Sequence, residues 1–214
     1  MRKSAALKVE PALSPVLRSN LIGQVFKEVC PEHRLLVLDM GCPSSSTVKF
    51  FNQYKCRLSF LDLISAEFLA ETSQGANHQE LVEYFRASLN IEPDMVADIC
   101  LFWDIFNYLD GSSLSAFIEA LAPHINHRSR GYCLGLLNER NQLPYCQYGI
   151  DSQTTLSQAV PLGQQPPVYP HNRRVLTQLL HYFEIDKSRL MPDGRVEYLL
   201  CENLLPRPIK PAIF

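Results

Sequence analysis

Three apolar runs in this chain each end on an acid. Leu35-Leu36-Val37-Leu38 ends on Asp39, Leu58-Ser59-Phe60-Leu61 on Asp62, and the run from Val96 to Trp103 on Asp104. The carboxyl ends of buried strands are where open α/β sheets take their ligands, and an ionised carboxylate accepts hydrogen bonds from hydroxyls and cations alike. Asp39 leads into the turn Met40-Gly41-Cys42-Pro43-Ser44-Ser45-Ser46-Thr47. Gly41 lets a backbone or ligand approach closely, and the hydroxyls and backbone N–H groups of Ser44 to Thr47 stand at the start of a helix, a setting that favours polar ligands. Pro43 removes one donor, holds its φ near about −65° and pushes Cys42 towards extended geometry. Asp62 follows Asp39 by 23 positions, close to the roughly 20 that separate a glycine turn from a ribose-binding acid. Leu63 beside it is placed to pack on a base. Trp103, the only tryptophan, and Asp104 close the third run, with Asn107 and Tyr108 just beyond.

These residues need elements to hold them. Ser14-Pro15 reads as an N-cap and first-turn proline, followed by Leu17, Leu21, Ile22, Val25, Phe26 and Val29 at helical spacing, with Pro31 as the stop. Leu35 to Leu38 is a continuous apolar run, the pattern of a central parallel strand covered on both faces. Ser46 or Thr47 caps a short helix through Val48, Phe50, Phe51 and Tyr54, and the chain returns through Leu58 to Asp62. Asn77-His78-Gln79-Glu80 has the form of a capping box ahead of Leu81, Phe85 and Leu89. A strand over 82–86 is the competing reading, and the strand expected next in the sheet is short or missing. A helix from Ser112 or Ser113 carries Leu114, Phe117, Ile118 and Leu121 up to Pro123, and Gly131 to Leu137 is a further strand. Residues 138–171 read as a polar loop far longer than a connector needs. Such a loop is expected to serve as a lid or substrate wall, with Tyr145, Tyr148, Tyr169 and His171 as the groups to examine for substrate contact. A helix with Val175, Leu176, Leu179, Leu180 and Phe183 follows. Pro192-Asp193-Gly194-Arg195 then joins Ser188 to Met191 and Val196 to Cys201 as a hairpin.

Composition narrows the function. The 214 residues, 46% of them apolar, suit one domain of ordinary core size: an extension over 1–13, the domain over 14–205 and a proline-rich tail over 206–214. With 20 basic and 22 acidic side chains and a net charge of −2, the chain is a poor match for neutralising a run of phosphates, so nucleic acid is not an expected partner. Met1-Arg2-Lys3 is not followed by the apolar core of a secretory signal. No run approaches the roughly 20 apolar residues that span a bilayer. The expected location is therefore cytoplasmic, with a small-molecule substrate or a protein as partner and no membrane. The seven cysteines form no C-x-x-C pair, which reads as reduced thiols rather than a metal or redox site. His124 and His127 lack a third ligand nearby, and no metal is expected.

The order of elements resembles the class I S-adenosylmethionine-dependent methyltransferase family. The expected fold is α/β, a Rossmann-like, mostly parallel doubly wound sheet flanked by helices and ending in an antiparallel β-hairpin. The resemblance runs from about Leu17 to Asn203. In that family an acid-x-Gly-x-Gly-x-Gly turn after the first strand wraps the methionine part of S-adenosylmethionine, an acid closing the second strand holds the ribose, and the end of the fourth strand borders the sulfonium. The resemblance therefore implies cofactor-binding roles for Asp39, Gly41, Cys42, Asp62, Leu63, Trp103 and Asp104. Asn90 is the one candidate in the position that commonly meets the adenine amino group. The next two glycine positions of the turn hold Pro43 and Ser45, a degenerate form of the motif. Pro166-Pro167-Val168-Tyr169 is a proline-rich loop, since it falls well past the fourth strand, and the nicotinamide fingerprint G-x-G-x-x-G is absent. Two functions are implied: methyl transfer from S-adenosylmethionine to a small molecule or side chain, or a non-catalytic methyltransferase-like domain that acts through a protein partner.

Overall fold

The computed structural model describes residues 16–27, 34–63, 65, 75–136, 145–161 and 165–202. The expectations for the extension over 1–13, the Ser14-Pro15 cap, the stop at Pro31 and the tail from Pro206 lie outside these residues.

Leu35–Asp39 (β2) and Ile99–Trp103 (β4) are buried along their whole length, as continuous apolar runs must be when both faces of a parallel strand are covered. They pair in parallel with each other, β2 also with Cys56–Phe60 (β3), and β4 with Arg130–Leu136 (β5). Arg195–Glu202 (β9) lies antiparallel between β5 and Phe183–Leu190 (β8). The resulting order is β3-β2-β4-β5-β9-β8, with β3 at the edge and no strand described where a third parallel strand would lie. The chain leaves β2 to one side for β3 and returns on the other side for β4, so the carboxyl ends of β2 and β4 face a topological switch point. In open α/β sheets that crevice is the ligand site.

The helices follow their caps. His78–Leu89 (α2) starts on the full capping box of Asn77 and Glu80, which rules out a strand over 82–86. Gly111–Leu121 (α3) is capped by Asp110, two residues ahead of the serines expected to do so. Ser45–Phe51 (α1) begins after Ser44, with no side-chain cap bond from it, rather than after Ser46 or Thr47. Those hydroxyls bond elsewhere. Arg173–Leu179 (α4) is capped by Asn172 and stops before Leu180, so that Phe183, expected in this helix, instead opens β8. Phe85 and Phe102 both meet Phe117 edge-on, at 5.4 and 6.1 Å between ring centroids, tying α2, β4 and α3 together.

Two larger expectations also fail. The helix from Leu17 is instead a two-residue strand, Leu17–Arg18 (β1), and a short 3-10 helix over Ile22–Phe26. Leu17, Leu21, Ile22, Val25 and Phe26 are still buried, because burial on a tertiary surface and not helical continuity is what their spacing serves. The polar loop over 138–171 contains a hairpin, Gln147–Ser152 (β6) and Thr155–Ala159 (β7), which with β1 makes a second sheet in the order β1-β7-β6.

The segment after β1 is fastened by Glu197, which is fully buried on β9. Its carboxylate accepts from Ser19 Oγ at 2.6 Å, from the backbone N–H of Asn20 at 2.9 Å and of Leu21 at 3.2 Å, and from Tyr132 Oη at 3.2 Å. Removing it strands several buried donors at once, each costing on the order of 1–3 kcal/mol. Glu197→Ala is therefore expected to lower the unfolding free energy by about 3 kcal/mol or more. Urea denaturation checks this, and a loss under about 1 kcal/mol would show that water replaces the carboxylate.

Candidate functional site

Asp39, at the end of β2, turns inward and is fully buried. One carboxylate oxygen, Oδ1, accepts from the Gly41 backbone N–H at 2.9 Å and from the Trp103 indole N–H at 2.6 Å. Oδ2 is buried and has no partner among the described residues. Burial pushes the carboxyl up to about 7 against the restraining pull of the two donors. Trp103 reaches this acid through a bulge in the β4–β5 pairing and a backbone φ of 51°. For a bulky side chain that conformation is an outlier, costing on the order of 1–3 kcal/mol, and such strain clusters at binding and switch sites. Asp62, at the end of β3, also has a positive φ, 49°.

The indole lies on the inner face of the turn. A Cβ added to Gly41 would come within 3.0 Å of Trp103 Cδ1 and 3.1 Å of Nε1, so a side chain here would push the indole back by a few tenths of an ångström. Over the indole lies Tyr148 of β6, stacked at 5.4 Å between centroids and 15° between planes. The Tyr148 hydroxyl donates to Asp104 Oδ2 at 2.9 Å and accepts from Arg195 Nη1 at 2.7 Å. Tyr108 Oη donates to the same Asp104 oxygen at 3.0 Å. Asp104 Oδ1, like Asp39 Oδ2, is buried without a partner, and burial raises the Asp104 carboxyl to about 6 despite the two tyrosine donors and the nearby Arg195 charge.

The serines of the turn hold the hairpin. Ser46 Oγ meets Ser157 Oγ at 2.9 Å, and Thr47 Oγ1 accepts from the Ile150 backbone N–H at 3.1 Å. Gly149 passes so close that a Cβ there would collide with Ser44 Oγ and Ser46 Oγ. Gln147 Nε2 donates to Cys42 Sγ at 3.2 Å, and Cys42 Sγ donates to Asp62 Oδ1 at 2.7 Å. Burial, reinforced by Asp62, pushes the Cys42 thiol up to about 12, so it is no nucleophile at neutral pH.

The structure therefore gathers Asp39, Gly41, Cys42, Asp62, Trp103 and Asp104 around one turn, while Leu63 is buried behind it with its N–H on Met40 O at 2.9 Å. Asp62 alone of the three acids is exposed. Pro43 is exposed too. Of the loop residues, Tyr148 is part of the site. His171 is instead committed to Leu109 O through Nε2 at 2.8 Å. Asn90 is the left-handed C-cap of α2 and lines a cavity of about 360 Å³ with Leu36, Leu38, Ser59, Leu61 and Met95. None of Asp39, Gly41, Trp103 and Asp104 lines that cavity. Arg195 and Gln147 were not anticipated. Arg195 reads in sequence only as the last residue of a turn, and its role depends on a hairpin it meets across the fold. Among the described residues no cluster of His, Cys, Asp or Glu could hold a metal, and no described helix is long and apolar enough to cross a membrane.

The methionine part of S-adenosylmethionine does not fit this turn as it stands. The indole already touches Gly41 and takes the Asp39 oxygen, and Tyr148 closes the space above it.

No protein-family model matches the chain, and no curated protein does. Solved structures do. DesVI of Streptomyces venezuelae is 11% identical, with 86% of this chain and 89% of that one covered at a TM-score of 0.52. The PH0226 protein of Pyrococcus horikoshii OT3 is 12% identical over 86% and 88%, at 0.50. An S-adenosylmethionine-dependent methyltransferase from Clostridium acetobutylicum ATCC 824 is 14% identical over 85% and 90%, at 0.47. At such identities the likeness is one of fold. The fold is that of the class I methyltransferases, as the strand order with its closing antiparallel hairpin requires.

Asp39 offers a test of this geometry. Its carboxyl lies at about 7 in the folded chain against an ordinary 3.8, so the folded state holds the proton more tightly than the unfolded one. Stability from this group is complete below about pH 4 and is lost as pH rises through about 7. Asp39→Asn removes the titration, and the wild type is expected to lose stability relative to the variant across that window. Chemical denaturation at a series of pH values measures the difference. A difference that stays flat between pH 4 and 7 would contradict the buried placement of Asp39.

Proposed function

We propose that this protein is a methyltransferase-fold domain whose resting form does not take up S-adenosylmethionine and which acts through a protein partner rather than by methyl transfer. The observation that carries the reading is the Trp103 indole, hydrogen-bonded to Asp39 and packed on Gly41 beneath Tyr148. In the class I fold the turn after the first strand must present bare backbone to the methionine tail. Here that backbone faces a fully buried aromatic side chain. The hydroxyls of Ser46 and Thr47, which could have served a ligand, bond the β6–β7 hairpin. A fold does not dictate an activity, and a cleft filled from within leaves the surface as the working part. Asp62 favours a second reading, in which the cofactor binds once the hairpin has moved, because this acid stays exposed at the strand end that holds the ribose in the family.

Calorimetric titration of the full chain with S-adenosylmethionine and S-adenosylhomocysteine tests the proposal. No saturable heat is expected up to millimolar ligand. Saturable binding in the micromolar range, weakened in Asp62→Ala by more than about 1 kcal/mol, the scale of one hydrogen bond to a charged group, would overturn it.

A further inference from the structure

The β6–β7 hairpin is built differently from the rest of the molecule. It belongs to a sheet that shares no strand with the six-stranded one. Backbone ladders hold β5, β9 and β8 together over long registers. Toward the turn and the end of β9, by contrast, the hairpin is joined by hydrogen bonds that each involve a side chain. These are Gln147 to Cys42, Tyr148 to Asp104, Arg195 to Tyr148, Ile150 N–H to Thr47, Ser157 with Ser46, and Arg195 to Gln158 at 3.1 Å. Water can replace each of these partners, so their net contribution is small and their loss is reversible. These bonds are the polar part of a contact that also buries Tyr148, Ile150 and Leu156, and it is the polar part that a released hairpin would exchange for water.

Closure also carries a cost that opening relieves. With the hairpin seated, Asp104 Oδ1 is buried and has no partner among the described residues. Releasing Tyr148 would open Asp104 to water and uncover the indole face on which the ring stacks. The aromatic ring itself is held by its stack on Trp103 and by its hydroxyl, which lies between the carboxylate of Asp104 and the guanidinium of Arg195. Arg195 is itself braced by Asp193 through Nε at 2.9 Å, so the latch is anchored on the β8–β9 turn and not on the hairpin.

We infer that the β6–β7 hairpin is a reversible autoinhibitory plug, latched by the Tyr148 hydroxyl between Asp104 and Arg195, that holds the Trp103 indole on the inner face of the Gly41 turn and so keeps S-adenosylmethionine from it. This rests on the resting-form reading above and names what controls that form. The seated plug presents Tyr148 and, behind it, Trp103 to the space the methionine tail would use. The released plug opens Asp104 to solvent and frees the indole to turn away from Gly41 and Asp39, next to the already exposed Asp62.

Hydrogen exchange and calorimetry on the full-length chain test the inference, with S-adenosylhomocysteine as the probe. Tyr148→Ala is expected to speed exchange of the β6–β7 amides by about tenfold or more while the β5–β9 amides keep their protection, and to create saturable uptake of the probe that the wild type lacks. Tyr148→Phe, which keeps the ring and loses only the latch, is expected to give the same pattern at smaller amplitude. If the hairpin and the β5–β9 ladder lose protection together in both variants, the hairpin is part of the cooperative core and the plug is overturned. Hairpin release without uptake of the probe also overturns the plug and leaves the resting-form reading standing. Wild-type uptake of the probe with hairpin protection undiminished overturns the resting-form reading itself, and with it the plug.

Discussion

The hydrogen bond from the Trp103 indole to the Asp39 carboxylate decides what this cleft is. It joins the ends of the two central strands at the switch point of the sheet, at 2.6 Å and out of reach of solvent. To make it, β4 bulges and Trp103 takes a backbone conformation that costs a bulky residue on the order of 1–3 kcal/mol. Asp39 gives up solvation for it and binds its proton more tightly as a result. Neither cost is incurred by an acid that simply caps a strand in water. Both are tolerable because the surrounding strands are buried from end to end, so the backbone there has no cheaper alternative.

From that bond the rest of the site follows outward. The indole offers a flat face, and Tyr148 stacks on it. Stacking fixes the ring, and the ring carries its hydroxyl to Asp104 and Arg195. The hairpin that bears Tyr148 must then run across the turn, which it can do only because Gly149 has no side chain to strike the serines. The turn is thus matched to what lies on it, since Ser46 and Thr47 hold an internal hairpin that brings a hydroxyl and an amide of its own.

The fold was legible because its strongest signals are local. The buried runs at β2 and β4, the capping box at Asn77 and the Pro192-Asp193-Gly194 turn each reflect a short-range constraint, and each appears where expected within a few residues. The acids at Asp39, Asp62 and Asp104 were equally plain. The content of the cleft was not. Trp103 could be placed at a strand end, but its side chain's direction depends on a bulge against β5, and nothing in its neighbours announces that. Tyr148 sits in a stretch whose Gln, Ser and Thr content reads as loop. Its β-hairpin becomes favourable only when β1 pairs with it and the turn serines accept it. The segment from Leu17 misled for the same reason, since apolar residues at helical spacing bury equally well as a short strand and a 3-10 turn.

Trp103 is the only tryptophan in the chain, so its fluorescence reports on the central bond alone. Acrylamide quenching with and without saturating S-adenosylhomocysteine is the most direct measurement. A fully buried indole on a carboxylate is expected to resist quenching strongly, and to the same extent whether or not the ligand is present. Quenching as efficient as that of an exposed indole, or a saturable change in emission on adding the ligand, would contradict an indole that occupies the turn.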